Sequence, residues 1–161
     1  MVKHLRIDNR LIHGQVAATW KAYIDADAII VCNDKVSKDP IQKMALPLAA
    51  RGTKVMVYSI EETVQYANKH PEEILFIICK YPTDALEVLE SGVDVEEVNV
   101  GNAAPPVGKD YVMVTKSIAV TQDDAVIYRK IAEMRGGKLT SQMVPTYEKS
   151  NFLDLMDKAG V

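Results

Sequence analysis

His13 follows Arg10 by three residues and Asp8 by five, inside the stretch Leu5-Arg6-Ile7-Asp8-Asn9-Arg10-Leu11-Ile12-His13-Gly14-Gln15-Val16. These residue types at this spacing suit phosphoryl chemistry. A neutral imidazole keeps a free ring nitrogen near neutral pH and is a competent nucleophile. Arginine offers a planar, permanently charged fork that matches phosphate oxygens, and a glycine after the histidine leaves the backbone uncovered. Asp8 can orient either Arg10 or the imidazole. Taken singly, His13 could be a polar cap and Arg10 a solvated side chain; taken together, Asp8, Arg10, His13, Gly14 and Gln15 read as a nucleophile with a phosphate cradle.

The elements that must position this set follow from periodicity. Lys3 to Asp8 reads as a first strand, Asn9 and Arg10 as a turn, and Val16, Thr19, Trp20 and Tyr23 as one face of a helix. The histidine therefore sits where strand hands over to helix. The first N–H groups of a helix lack intrahelical partners and the dipole there favours negative charge, so the position is a ready phosphate site.

The run from Arg6 to Val16, followed by Trp20, closely resembles the motif R-[IV]-D-[DN]-R-L-[IL]-H-G-Q-V of the IIB components of the mannose/fructose/sorbose family of the bacterial sugar phosphotransferase system. The resemblance covers the whole chain and makes residues 1–161 a single IIB domain. It implies that His13 carries the phosphoryl group at Nδ1, taking it from a phosphohistidine on a IIA partner and yielding it to a sugar hydroxyl held by the membrane components IIC and IID. Arg10 would contact the phosphoryl group, Asp8 would support the site, and Gly14 and Gln15 would line the loop. The family has a similar Gly-Asn turn after its fifth strand, which makes Asn102 a second site candidate; Gly101 and Asn102 could equally just supply turn dihedrals. The resemblance further implies that sugar choice lies with the membrane partners and that apolar and basic residues around the loop meet IIA. No cofactor is implied, and a homo-oligomer is left open.

Composition is in keeping with this. The chain has 161 residues, 48% hydrophobic and 25% charged, enough for one globular domain with a sizeable core. A net charge of −3 argues against non-specific nucleic-acid binding. Neither a signal-type apolar segment nor a run long enough to span a bilayer occurs, which predicts a cytoplasmic protein reaching the membrane only through partners. Cys32 and Cys79 fall in apolar strand-like runs, so a disulfide framework is not expected.

Along the chain, strand and helix signals alternate. Ala28 to Cys32, Lys54 to Tyr58, Ile74 to Cys79 and Glu97 to Val100 read as strands. Asp39-Pro40 starts a helix that turns Ile41, Met44, Ala45 and Leu48 to the core, with Pro47 kinking or breaking it. Ser59 to Glu62 has capping-box spacing. Asp84 to Glu90 is a short helix, and Val112 to Val120 one extended region interrupted at Lys116 and Ser117. Thr121 caps a helix to about Arg135 with Ala125, Ile127 or Tyr128, Ile131 and Met134 inward. Lys138 to Val144 is the last strand, and Asn151 to Lys158 a terminal helix. The alternation predicts an α/β fold, one open, doubly wound, mostly parallel twisted sheet of about seven strands with helices on both faces, binding at the carboxyl ends of its strands.

Other candidates weigh less. Gly136-Gly137-Lys138-Leu139 lacks the P-loop order. Cys32 ends a strand, where a phosphocysteine can sit, but Asn33-Asp34-Lys35 replaces the expected run of backbone donors. His4 and His70 read as structural or solvated, and the scattered histidines specify no metal site. Trp20 and Tyr23 read as packing residues rather than a sugar platform. A receiver-like regulatory module or a non-catalytic binding protein could share the architecture; the first would need clustered acids after strand one, for which Asp8 alone is thin.

Overall fold

The computed structural model describes residues 1–14 and 16–161. In chain order it has β1 (Val2–Asp8), a π-helical turn (Val16–Trp20) running into α1 (Lys21–Ile24), β2 (Ala28–Cys32), α2 (Asp34–Lys38), α3 (Pro40–Ala45) with a 3-10 turn (Leu46–Ala50), and β3 (Lys54–Tyr58). There follow α4 (Ile60–Lys69), β4 (Leu75–Cys79), α5 (Pro82–Glu90), β5 (Val95–Asn102), β6 (Val112–Thr115), β7 (Ile118–Val120), α6 (Gln122–Met134), β8 (Thr140–Ser141), β9 (Ser150–Asn151) and α7 (Phe152–Ala159).

The helix starts carry their caps as the sequence requires. Asp39 accepts from the backbone N–H groups of Ile41 and Gln42, and Thr121 from that of Asp124. Ser59 and Glu62 form the reciprocal capping box, which satisfies two orphan donors at once.

The main sheet has seven strands in the order β3-β2-β4-β1-β5-β8-β9, all paired in parallel except β9, which runs antiparallel to β8. β1 is thus the central strand. One core cluster packs Leu5 and Ile7 with α5, α6 and α7; a second gathers Leu11, Ile12, Val16, Trp20 and Ile24 on the opposite face, over Phe76 and Ile78. On that second face the alternate residues of β1 are polar: His4, Arg6 and Asp8, at 2%, 0% and 0% exposure. Their neighbours in register on β5 include Glu97 and Asn99. A seam of charged and polar side chains therefore runs through the interior beneath Trp20 and ends at the His13 loop.

Several expectations are corrected. α3 and the 3-10 turn after it face outward: Ile41, Met44 and, in the turn, Leu48 are 75%, 74% and 67% exposed, and Ala45 is exposed as well. The reason is α2, an unforeseen helix that buries Val36 and Ser37 and leaves α3 outboard, where Leu46 and Ala50 make the inward contact. The first helical segment buries Val16, Ala17, Trp20 and Ile24, while Thr19 and Tyr23 are exposed. Its opening turn is π-helical, wider than the 3.6-residue period assumed. On α6, Ala132 is buried and Met134 is 45% exposed.

Within the extended region Val112 to Val120, the interruption expected at Lys116 and Ser117 is a hairpin turn. Lys116 and Ser117 turn the chain so that β6 and β7 pair antiparallel in a small sheet of their own. The last expected strand shrinks to Thr140–Ser141, because the carbonyls of Gln142 and Met143 are taken by Arg6 instead of a neighbouring strand. Gly101 and Asn102 belong to β5 and form no turn; the register with β1 shifts between Ile7 and Asp8, leaving Gly101 as the extra residue of a bulge.

Candidate functional site

β1 delivers Asp8 to the edge of the interior, and the next five residues reverse the chain. Leu11 donates its N–H to the carbonyl of Asp8 at 3.0 Å and takes φ 61°. That left-handed conformation costs an L-residue about 1–2 kcal/mol. Leu11 and Ile12 are 4% and 3% exposed, and burying one such side chain is worth about 1.5–3 kcal/mol. Two buried anchors therefore outweigh the strain and pin the residue that follows, His13. Its carbonyl accepts from the N–H of Ala17 at 2.9 Å, so the histidine stands at the head of the helical segment, as its sequence position predicts.

The Asp8 carboxylate is saturated. Oδ1 accepts from the backbone and Nε of Arg10 at 3.1 and 3.0 Å; Oδ2 accepts from Arg10 Nη2 at 2.8 Å and from Arg6 Nε at 3.2 Å. Arg10 is therefore held side-on in a two-point fork, which fixes its plane as well as its position. Its side chain remains 40% exposed while Asp8 is sealed. Of the two orienting roles open to Asp8, these bonds realise the one toward Arg10.

His13 is half-buried, and its Nε2 is shielded from solvent with no hydrogen-bond partner among the described residues. Its pKa lies below the ordinary histidine value, first because burial penalises the cation and then because the Arg10 charge stands nearby; Asp8 opposes this and Arg6 adds to it. Both leading causes favour the neutral ring. Gly14 faces open space, since a Cβ there would meet nothing within 4 Å, and with Ala17, Ala18, Lys21, Ala49 and Arg51 it borders an open hollow of about 260 Å³. Gln15 lies outside the described residues.

Asn102 joins the site indirectly. Its Nδ2 donates to Asn9 Oδ1 at 2.7 Å, and Asn9 returns its N–H to the Asn102 carbonyl at 3.2 Å. It braces the residue before Arg10.

Arg6 is the residue that sequence reasoning passed over. It is fully buried, donates to Asp8, to Asn99 Oδ1 at 2.8 Å and to the carbonyls of Gln142 at 2.8 Å and Met143 at 3.1 Å, and lies 4.8 Å from the Trp20 ring centroid. The signal that could have found it is the alternation of His4, Arg6 and Asp8 with the core residues Leu5 and Ile7 on a strand buried on both faces.

The lesser candidates fall away from the site. Cys32 and Cys79 are buried, in register on adjacent strands and out of reach of an incoming group, and burial pushes the Cys79 thiol well up. His4 is structural: it stacks on Trp20 at 4.9 Å and meets the edge of Phe76 at 5.5 Å. His70 caps α4 and stacks on Tyr66 at 4.2 Å. Its ring nitrogen clusters with Glu72 and Glu73, but Glu73 already accepts from Lys54 and Tyr66. Among the described residues no helix is long and apolar enough to cross a membrane.

With this geometry in hand, similarity to known proteins is informative. Residues 2–161 match the family described as PTS system sorbose subfamily IIB component. The sorbose-specific EIIB component of Klebsiella pneumoniae is 35% identical over 156 residues, 95% of this chain and 93% of that one. The mannose-specific EIIAB component of Escherichia coli K12 is 33% identical over 95% of this chain and 47% of its own length. Among solved structures, the IIB domain of the Klebsiella pneumoniae sorbose permease superimposes with a TM-score of 0.90 at 32% identity, covering 99% of this chain and 98% of that one.

Proposed function

The chain belongs to the sorbose-subfamily IIB components of the bacterial sugar phosphotransferase system, phosphotransferase subunits that carry a phosphoryl group during sugar uptake, and we propose that it does so on Nδ1 of His13. The observation that carries this reading is the sealed Nε2 of His13 beside a clamped, still exposed Arg10. With one ring nitrogen closed off, Nδ1 is the atom left to meet a donor.

In the reaction, a phosphohistidine on a IIA component brings its phosphoryl group to the His13 loop. The Nδ1 lone pair of the neutral ring attacks phosphorus, the donor's N–P bond breaks, and its electron pair returns to the donor imidazole. The second transfer repeats this with a sugar hydroxyl as acceptor, held by the membrane components IIC and IID, and the hydroxyl proton is lost to solvent or base. Arg10 offsets charge on the equatorial oxygens of the group in flight, and positioning supplies most of the remainder. Asp8 holds Arg10, Asn102 braces the loop through Asn9, and Gly14 leaves its far side open. The joined name of the mannose-specific EIIAB relative supports IIA as the donor. In this reading residues 1–161 form one cytoplasmic IIB domain that reaches the membrane only through its partners. The receiver-like alternative is set aside by the family.

The test is intact mass after incubation with phosphoenolpyruvate, the general phosphotransferase proteins and a IIA component. Wild type should gain one acid-labile, alkali-stable phosphoryl group and His13→Ala none. Equal labelling of both proteins would place the nucleophile elsewhere.

A further inference from the structure

We propose that Arg6 is a positioning residue for phosphoryl transfer: it acts through Asp8, fixing the carboxylate that holds the Arg10 guanidinium beside His13. The proposal rests on His13 being the phosphorylated residue.

Arg6 is built into the fold more firmly than a chance ion pair needs. Four of its five N–H groups have acceptors: Nε the Asp8 carboxylate, Nη1 both Asn99 Oδ1 and the Gln142 carbonyl, and Nη2 the Met143 carbonyl. β5 makes room for this head. A Cβ on Gly101 would lie 2.1 Å from Arg6 Cζ and 2.2 Å from Nη2, and Gly101 is the bulge residue in the register of β5 with β1. Trp20 closes the other side and ties itself to the same carbonyl of Met143 through its indole N–H at 3.2 Å.

Geometry and charge both follow. Arg10 grips both carboxylate oxygens, but from a side chain that is itself 40% exposed; Arg6 Nε on Oδ2 ties the same carboxylate to a guanidinium fixed in the interior, so the plane onto which Arg10 forks is anchored in the fold. A single Asp8–Arg10 pair would be neutral. With Arg6 included the cluster holds two cations to one anion, so it keeps a net positive charge for an incoming phosphoryl group. Lysine cannot replace this, having three donors and no fork.

Two variants test the role. Arg6→Lys removes the fork; Gly101→Ala leaves Arg6, Asp8, Arg10 and His13 intact and displaces the guanidinium by crowding. Each is checked for fold by circular dichroism, then assayed for phosphoryl uptake from a IIA donor with the site mapped by mass spectrometry, and His13 is titrated by NMR. The expected result is a rate at saturating donor lower by on the order of 10- to 100-fold, an unchanged KM for the donor, and a His13 titration midpoint moved up as Arg10 swings away. A folded Gly101→Ala protein with wild-type rate and midpoint overturns the proposal while His13 labelling stands. Phosphate found elsewhere than His13 in wild type instead removes the functional reading beneath it. Should neither variant fold, the wild-type protein decides: the Nε–H protons of Arg6 and Arg10 should both exchange slowly, and an Arg10 Nε–H exchanging like that of free arginine overturns the role.

Discussion

A histidine that accepts a phosphoryl group must be neutral when it attacks, and the surroundings of His13 push it that way through burial and the Arg10 charge. An ordinary histidine, with a pKa of about 6.5, is already mostly neutral near pH 7 and above. In the proposed reaction, lowering the His13 pKa keeps a neutral ring available at mildly acidic pH as well. Replacing Arg10 by Gln removes the second cause and leaves the first, so the His13 pKa should rise and the acid limb of the rate profile should move to higher pH. The rate on the plateau should fall by about 10²–10³, the cost of losing one charge-stabilising donor. NMR titration alongside single-turnover transfer at several pH values checks both; a midpoint that stays put or moves down would separate Arg10 from His13. Asp8 enters with the opposite sign in this balance, so the pair tunes the ring in both directions while one member holds the other in place.

At the scale of elements, α3 and the 3-10 turn that follows it carry an apolar stripe into solvent. Because Ile41, Met44 and Leu48 are two-thirds or more exposed, Met44→Gln and Leu48→Gln should each change unfolding free energy by no more than about 0.5 kcal/mol. Urea denaturation measures this, and a loss of about 2 kcal/mol or more, the scale of a core truncation, would mean the stripe is covered in the folded chain. Periodicity found α3 and its Asp39 cap, yet it cannot say which side of an amphipathic helix meets water; that was decided by α2, which took the place on the sheet. The caps at Asp39, Ser59 and Thr121 were legible because each joins residues two or three apart. The buried strands were legible as unbroken apolar runs. Arg6 was not, because its alternation with His4 and Asp8 reads like a solvated strand face, and its partners Asn99 and Gln142 stand 93 and 136 residues away. Asn102 was found as a residue but misplaced as a turn, since nothing local marks a bulge that exists to clear a guanidinium.

Across the whole molecule, the polar seam makes the central strand sensitive to acid. His4 has its pKa lowered, chiefly by burial; Glu97, whose carboxylate lies 3.6 Å from His4 Nδ1, opposes that, and the charges of Arg6 and Lys149 add to it. Glu97 itself is held down to about 2 by His4, Lys149 and Thr140. Both groups bind protons more readily when the chain is unfolded, so the stability they contribute is present at neutral pH and is lost as pH falls. The His4 share goes below about 6.5, and the Glu97 share between about 4.5 and about 2. His13 is lowered too and adds to the first loss, which is why the comparison has to be between variants. His4→Phe retains a ring against Trp20 and Phe76 but cannot titrate. It should therefore show a smaller drop in Tm between pH 7 and pH 5 than wild type, with the later drop toward pH 3 reduced but not abolished, because His4, the leading cause that holds Glu97 down, is gone while Lys149 at 2.8 Å and Thr140 remain. A His4→Phe protein that loses as much as wild type between pH 7 and 5 would move the first limb to other groups. The same seam links this acid response to the site, because His4, Arg6 and Asp8 share one face of β1, and loosening its first member loosens the strand that presents the other two.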